Sequence, residues 1–263
     1  MKSALSLLLA LTPLAAADFH FVILGDRTGE AQAGIYEQLW KETAQEHPAF
    51  VVTVGDTIEG LNDATAEREW HEAQQIFVKG IALYLTPGNH DIWSDLSEKL
   101  FRKYSGHPPH YSFDHEEAHF TILDNSRDDQ FSAAELAWLE ADLRGHEKQP
   151  LKFVVSHRPS WVIDILLKNP HSPIHQLAKK YGVQYVISGH IHQMMHSDLE
   201  GVTYLSMPSA GGHLRASMKY EDGWFFALTR VEVTGTKAQF QIKEIKNRVT
   251  TLADWGPSGL RHR

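Results

Sequence analysis

No cysteine occurs in the 263 residues. That absence excludes disulfides, thiolate metal ligands and a cysteine nucleophile. Any transition-metal site must therefore use histidine nitrogens and oxygen atoms. Positive charge is also scarce. Lys and Arg total 25 against 33 Asp and Glu, a formal net charge of −8 with histidine neutral. This argues against a general nucleic-acid binder. Long apolar runs are missing after the first residues, so there is no candidate membrane span further on. Repeats, low-complexity tracts and linkers are missing too.

What is present points to a folded, exported protein. Apolar residues make up 42% of the chain, enough for a sizeable core, and histidine is abundant at 17. The first residues read as a secretory signal. Lys2 supplies the positive end, Ala4 to Leu11 the apolar region, and Ala15-Ala16-Ala17 a small-residue cleavage site. The apolar run is short for a membrane span. The expectation is a signal over 1–17, a mature chain starting at Asp18 and a periplasmic or secreted location. A single domain is expected over 18–246, followed by a tail over 247–263 that trails across the surface.

The apolar pattern alternates between strands and helices. Phe19 to Leu24, Ala49 to Val54, Ile81 to Thr86, His119 to Asp124, Leu151 to Val155 and Gln184 to Ile187 read as strands. Gln32 to Glu46, Ala64 to Val78, Leu96 to Tyr104, Ser132 to Leu143 and Ile174 to Tyr181 read as helices. Ser132 and Glu135 have the spacing of a capping box. Val202 to Met207, Trp224 to Val233 and Ala238 to Ile245 read as late antiparallel strands.

Chemistry sits at the strand ends, where an open α/β sheet places its ligands. Asp26, Asp56, Asn89, His157 and the pair His190 and His192 each follow an apolar strand. An aspartate after glycine is common in turns, and a lone histidine there is usually structural. Five such events on successive strands point to one shared metal site. His90 adds an imidazole that carries a proton near neutral pH. Asp91, next in sequence, is placed to orient it.

Together the segments Gly55-Asp56, Gly88-Asn89-His90-Asp91, His157 and Gly189-His190-Ile191-His192 resemble the calcineurin-like metallophosphoesterase family, in the same order. The resemblance runs from Phe19 to Ile245. It implies a four-layer αββα sandwich, two mixed sheets flanked by helices. It also implies two divalent transition-metal ions (Mn, Fe, Zn, Ni or Co) and a bridging hydroxide. Carried over, Asp26, Asp56 and His192 bind one ion, and Asp56, Asn89, His157 and His190 bind the other. His90 serves the leaving oxygen with Asp91 holding its ring, and Arg27, Arg158 and His213 are candidates for contacting substrate phosphate.

One motif departs from the family. Asp26-Arg27-Thr28 has Thr28 where histidine is usual, leaving a gap for water or Glu59 to fill. Purple acid phosphatases, a related group, place a tyrosine at the position of Glu59. The function implied is hydrolysis of a small-molecule phosphoric ester, mono- or diester. Two alternatives share the fold: a metal-poor binding or scaffold module, favoured only by Thr28, and a nuclease, against which the net charge weighs. Ile92 to Glu117 and Ser206 to Gly223 are the expected rim.

Overall fold

The computed structural model describes residues 19–246 and 248–255. The signal segment and its cleavage site lie outside the described residues. The first strand, β1 (Phe19–Leu24), is apolar on both faces and is followed by α1 (Ile35–Glu46), β2 (Phe50–Thr53), α2 (Asp63–Ile76), β3 (Ala82–Tyr84) and α3 (Asp95–Ser105). The chain then forms β4 (Tyr111–His115), β5 (Ala118–Ile122), α4 (Ala133–Gly145), β6 (Leu151–Val155), α5 (Val162–Leu166), α6 (Pro173–Tyr181) and β7 (Tyr185–Ser188). It ends with β8 (Met195–Leu199), β9 (Val202–Ser206), β10 (Ala227–Thr234), β11 (Lys237–Glu244) and β12 (Val249–Thr251).

Two six-stranded sheets result, ordered β12-β11-β10-β1-β2-β3 and β4-β5-β6-β7-β9-β8. Strands β1, β2 and β3 run parallel, as do β5, β6, β7 and β9. Alternation of side chains divides each strand between two cores. Phe21, Ile23, Phe50 and Val52 meet Phe120, Ile122, Phe153 and Val155 between the sheets. Phe21 stacks on Phe50 at 5.0 Å, Phe120 on Phe153 at 4.6 Å, and the two pairs meet edge-to-face, Phe21 to Phe120 at 5.2 Å. Such pairs add about 0.5–1.5 kcal/mol each beyond area burial. The outward residues Val22 and Leu24 pack on Tyr36, Leu39 and Trp40 of α1. Val154 and Val186 pack on Leu139 and Leu143 of α4. The expected four-layer αββα sandwich is thus the observed one.

Several local expectations are corrected. Val202–Ser206 is antiparallel to β8 but parallel to β7. The tail does not simply trail: Val249–Thr251 adds an edge strand to β11, and Trp255 is buried in the inter-sheet core. Ser132 does cap α4, accepting the Glu135 N–H at 3.1 Å. The reciprocal half of that capping box is replaced, because the Glu135 carboxylate accepts the Asp124 N–H at 2.8 Å and pairs with His110. A complete box forms instead at Ser94 and Ser97, fixing the start of α3. Most of Ile92 to Glu117 becomes α3 and the edge strand β4 rather than a rim. Among the described residues no helix is long and apolar enough to cross a membrane.

Candidate metal centre

Parallel strands deliver their carboxyl ends to one edge of the sandwich. Loops after β1, β2 and β3 carry Asp26, Asp56 and Asn89; loops after β6 and β7 carry His157, His190 and His192. The two sets face each other across the seam between the sheets. Asp56, His190 and His192 all adopt positive φ, at 56°, 69° and 60°. Residues other than glycine are held there only when their surroundings demand it, and such strain collects at functional sites. Bare backbone makes room for the carboxylates. A Cβ on Gly88 would stand 2.1 Å from Asp56 Oδ1, and one on Gly189 would stand 2.4 Å from Asp26 Oδ1.

Around His157 the donors run out. Its Nδ1–H donates to the Val54 carbonyl at 2.8 Å. Its Nε2 is 3.0 Å from Asn89 Oδ1, 3.1 Å from His190 Nδ1 and 3.2 Å from Asp56 Oδ2. Four lone-pair-bearing atoms therefore converge. A cation among them, or a proton on His157 Nε2 or His190 Nδ1, relieves the repulsion. Burial works against that proton, but the Asp56 charge outweighs it and pushes His157 up to about 9. Burial, joined by the His157 charge, holds His190 down to about 4. Burial also opposes ionisation of Asp56, yet the neighbouring His157 charge keeps its carboxyl well below the usual range.

A second group shares Asp56. Asp26, Asp56 and His192 each bring one ligand atom within 4.8 Å of the others, as do Asp56, His157 and His190. His192 Nδ1–H donates to the His213 carbonyl at 2.7 Å, and its Nε2 approaches Asp26 Oδ2 at 3.4 Å without making a hydrogen bond. His192 Nε2, Asp26 Oδ1 and Thr28 Oγ1 are buried without a hydrogen-bond partner. Both His157 and His192 thus give one nitrogen to a backbone carbonyl and present the other to the cluster, the arrangement that fixes metal-ligating imidazoles. Oxygen and imidazole donors with two groups joined through one carboxylate fit a pair of divalent cations.

The other expected residues fall into place unevenly. His90 lies at the edge of the cluster, half-buried, with Nδ1 on the Glu59 carbonyl. Its backbone N–H donates to Asp56 Oδ1 at 2.9 Å. Asp91 does not hold the His90 ring. Its carboxylate is turned inward, accepting the N–H groups of Thr57 at 2.8 Å, Ile58 at 3.3 Å and Gly88 at 2.9 Å. Three backbone donors outcompete one neighbouring imidazole. Burial, with the Asp56 charge, pushes that carboxyl up to about 6. Glu59 accepts the Ala31 N–H at 2.8 Å and so ties down the loop after β1.

The three basic candidates are engaged elsewhere. Arg27 donates to the Thr57 carbonyl at 2.9 Å and lies over the Tyr36 ring. Arg158 pairs with Asp129 and donates to the Ser126 carbonyl at 3.3 Å, though its charge still bears on His190. His213 is half exposed and contributes through its carbonyl rather than its ring. Asn125 was missed. It brackets Arg158, accepting its N–H at 3.0 Å and donating to its carbonyl at 2.7 Å. The signal was the one used elsewhere, a polar residue just past an apolar strand.

Comparison with known proteins gives the family and the fold. The calcineurin-like phosphoesterase family matches residues 11–194. A 3′,5′-cyclic adenosine monophosphate phosphodiesterase of Escherichia coli K12 is 27% identical over 207 residues, covering 73% of this chain and 71% of that protein. Tartrate-resistant acid phosphatase type 5 of Rattus norvegicus is 25% identical over 264 residues, covering 81% and 79%. Among solved structures, a purple acid phosphatase from yellow lupin seeds superimposes with a TM-score of 0.68 at 13% identity over 90% of this chain, which spans 53% of the lupin protein. GAP50, the anchor in the inner membrane complex of Plasmodium, gives a TM-score of 0.62 at 16% identity, covering 89% and 88%. At these identities the two structural likenesses carry the fold alone.

Proposed function

This chain belongs to the calcineurin-like phosphoesterase family, and we propose that it hydrolyses a small phosphoric ester with two divalent transition-metal ions. Asp26, Asp56 and His192 would hold one ion; Asp56, Asn89, His157 and His190 would hold the other. The observation that carries the reading is the convergence on His157 Nε2 of three further lone-pair donors within 3.2 Å, with Asp56 shared by a second triad. When bound, such a pair of cations clamps both ends of an in-line displacement and makes water a nucleophile near neutral pH.

The protein's own groups do the rest. Val54 and His213 carbonyls fix the tautomers of His157 and His192. The His90 N–H fixes the rotation of Asp56. Neutral Asn89 leaves the centre positive enough to attract an anion. His90, with Nδ1 held by Glu59, offers Nε2 to the departing oxygen, and it protonates that oxygen as general acid. Glu59 is tied to the Ala31 N–H with the Thr28 hydroxyl beside its carboxylate, so water rather than Glu59 is assigned to the gap left at Thr28.

Export after cleavage before Asp18 completes the proposal, resting on the Lys2 to Ala17 pattern. The test is release of p-nitrophenol from p-nitrophenyl phosphate and its bis ester with Mn, Zn, Fe, Ni or Co supplied, reversed by chelator. No hydrolysis of either ester with any of these metals overturns the reading. The mass of protein recovered from periplasm or medium checks the mature start.

A further inference from the structure

A second group of histidines and aspartates lies at the other end of the second sheet. His119, on β5, is fully buried. Its Nε2 bonds Asp142 Oδ2 at 2.9 Å and its Nδ1 bonds Asp114 Oδ1 at 2.7 Å. The ring of His146, just past α4, lies face to face with it at 3.8 Å, and its Nδ1–H donates to the Asp142 carbonyl at 2.8 Å. One ligand atom from each of Asp114, His119 and His146 lies within 4.8 Å of the others.

From this geometry we propose a third, peripheral divalent-cation site of the zinc type, formed by Asp114, His119 Nδ1 and His146 Nε2. It stands independently of the function proposed above. The case rests on Asp142. Through its carboxylate it takes one nitrogen of His119, and through its carbonyl one nitrogen of His146. Imidazoles that bind metal almost always have their far nitrogen held in this way. Asp142 is itself held rigid, accepting the Ser112 and Thr121 hydroxyls at 2.7 Å each. Two carboxylates, one ligating and one behind the ligand, balance the charge of a divalent cation. Two imidazoles and one carboxylate, with the last position left to water, make a donor set suited to zinc. Asp114 is 44% exposed, which gives the cation a path in. His146 is also partly exposed, so the same opening reaches its ring. Occupancy ties the β4–β5 hairpin to the end of α4.

The competing state is an imidazolium at His119 held between Asp114 and Asp142 with no metal. The full chain is equilibrated with Zn(II), desalted and its zinc counted by mass spectrometry, in parallel with Asp114→Asn, His146→Ala and the double variant. The expected result is the loss of one equivalent per chain in the double variant, with ester turnover unchanged. Loading with Co(II) should show the same loss in the visible d–d bands. Equal metal counts and identical Co(II) spectra in wild type and double variant overturn the site in favour of the imidazolium. An Asp56→Asn chain keeps this equivalent if the proposal holds. If Asp56→Asn loses no metal while the double variant loses one, it is the catalytic pair that fails.

Discussion

Replacing Asp91 by Asn separates two roles for one buried carboxylate. The structure gives it three backbone donors, Thr57 and Ile58 on Oδ1 and Gly88 on Oδ2. An asparagine of the same shape keeps one oxygen and turns an NH2 group towards the other side. Either Gly88 or the Thr57–Ile58 pair then faces a donor. A hydrogen bond to a charged acceptor contributes about 1.5–3 kcal/mol, and a buried group left unsatisfied costs about 1–3 kcal/mol. The bond lost and the donor stranded are the same interaction seen twice, so the net deficit is about 2–3 kcal/mol. For a chain of this size each kcal/mol moves the melting midpoint by roughly 2–4 °C, so a drop of roughly 4–12 °C is expected. Volume is conserved, so packing does not confound the comparison. The assay is urea and thermal unfolding from pH 4 to pH 8. Burial and Asp56 raise this carboxyl to about 6, so its contribution to wild-type stability falls as pH rises through that value. The deficit of the asparagine variant is therefore expected in full at the acid end and diminished at pH 8. Turnover is measured alongside and should fall less than in His90→Ala. Stability within about 0.5 kcal/mol of wild type at the acid end, with turnover lost as severely as in His90→Ala, would refute the loop-anchoring role. It would return Asp91 to the imidazole.

His90→Ala should lower kcat by about 10²–10⁴-fold while metal content holds, whereas His190→Ala should lower metal content; equal depletion in both removes His90 from the leaving group. Because Thr28 supplies no imidazole, the centre around Asp56 should retain about one tightly bound ion after dialysis, counted in the Asp114→Asn/His146→Ala background, and Thr28→His should raise that towards two. Glu59→Gln should leave occupancy unchanged, and loss of an ion there would make Glu59 the missing ligand. Iron-loaded protein should lack a phenolate-to-iron charge-transfer band, since Thr57, Ile58 and Glu59 offer no phenol; a purple product contradicts the placement of that loop.

Strand periodicity made the centre legible. Each candidate ligand lies in the turn after an apolar run, so the pattern picked out the residues that the fold brings together, Asp26, Asp56, Asn89, His157, His190 and His192, without knowledge of which strands pair. Side-chain direction was not legible. Asp91 follows His90 in sequence, but adjacency does not say whether a carboxylate faces its neighbour or the backbone behind it. Glu135 is the same case, with cap spacing but a stronger acceptor role at Asp124. Edge elements were hidden for a different reason. Met195–Leu199 and Val249–Thr251 are short, partly exposed and mixed in polarity, so they lack the continuous apolar run of the central strands. Clusters such as Asp114, His119, Asp142 and His146 depend on a strand pairing and a helix docking together, which spacing along the chain does not encode.

The antiparallel pairing of β1 with β10 sets an order of events. Phe19 waits for Val233 and Leu24 for Leu228, so the first strand lacks that neighbour until most of the chain has been made. Asp26 sits two residues beyond that strand, and its carbonyl is bonded by Ala210 and Gly212 from the approach to β10. The carboxylate that begins the ligand set is therefore among the last to be fixed in place. On the proposed function, loading of the paired ions would follow closure of the whole chain, and the compartment where that closure happens would decide which metals compete for the protein.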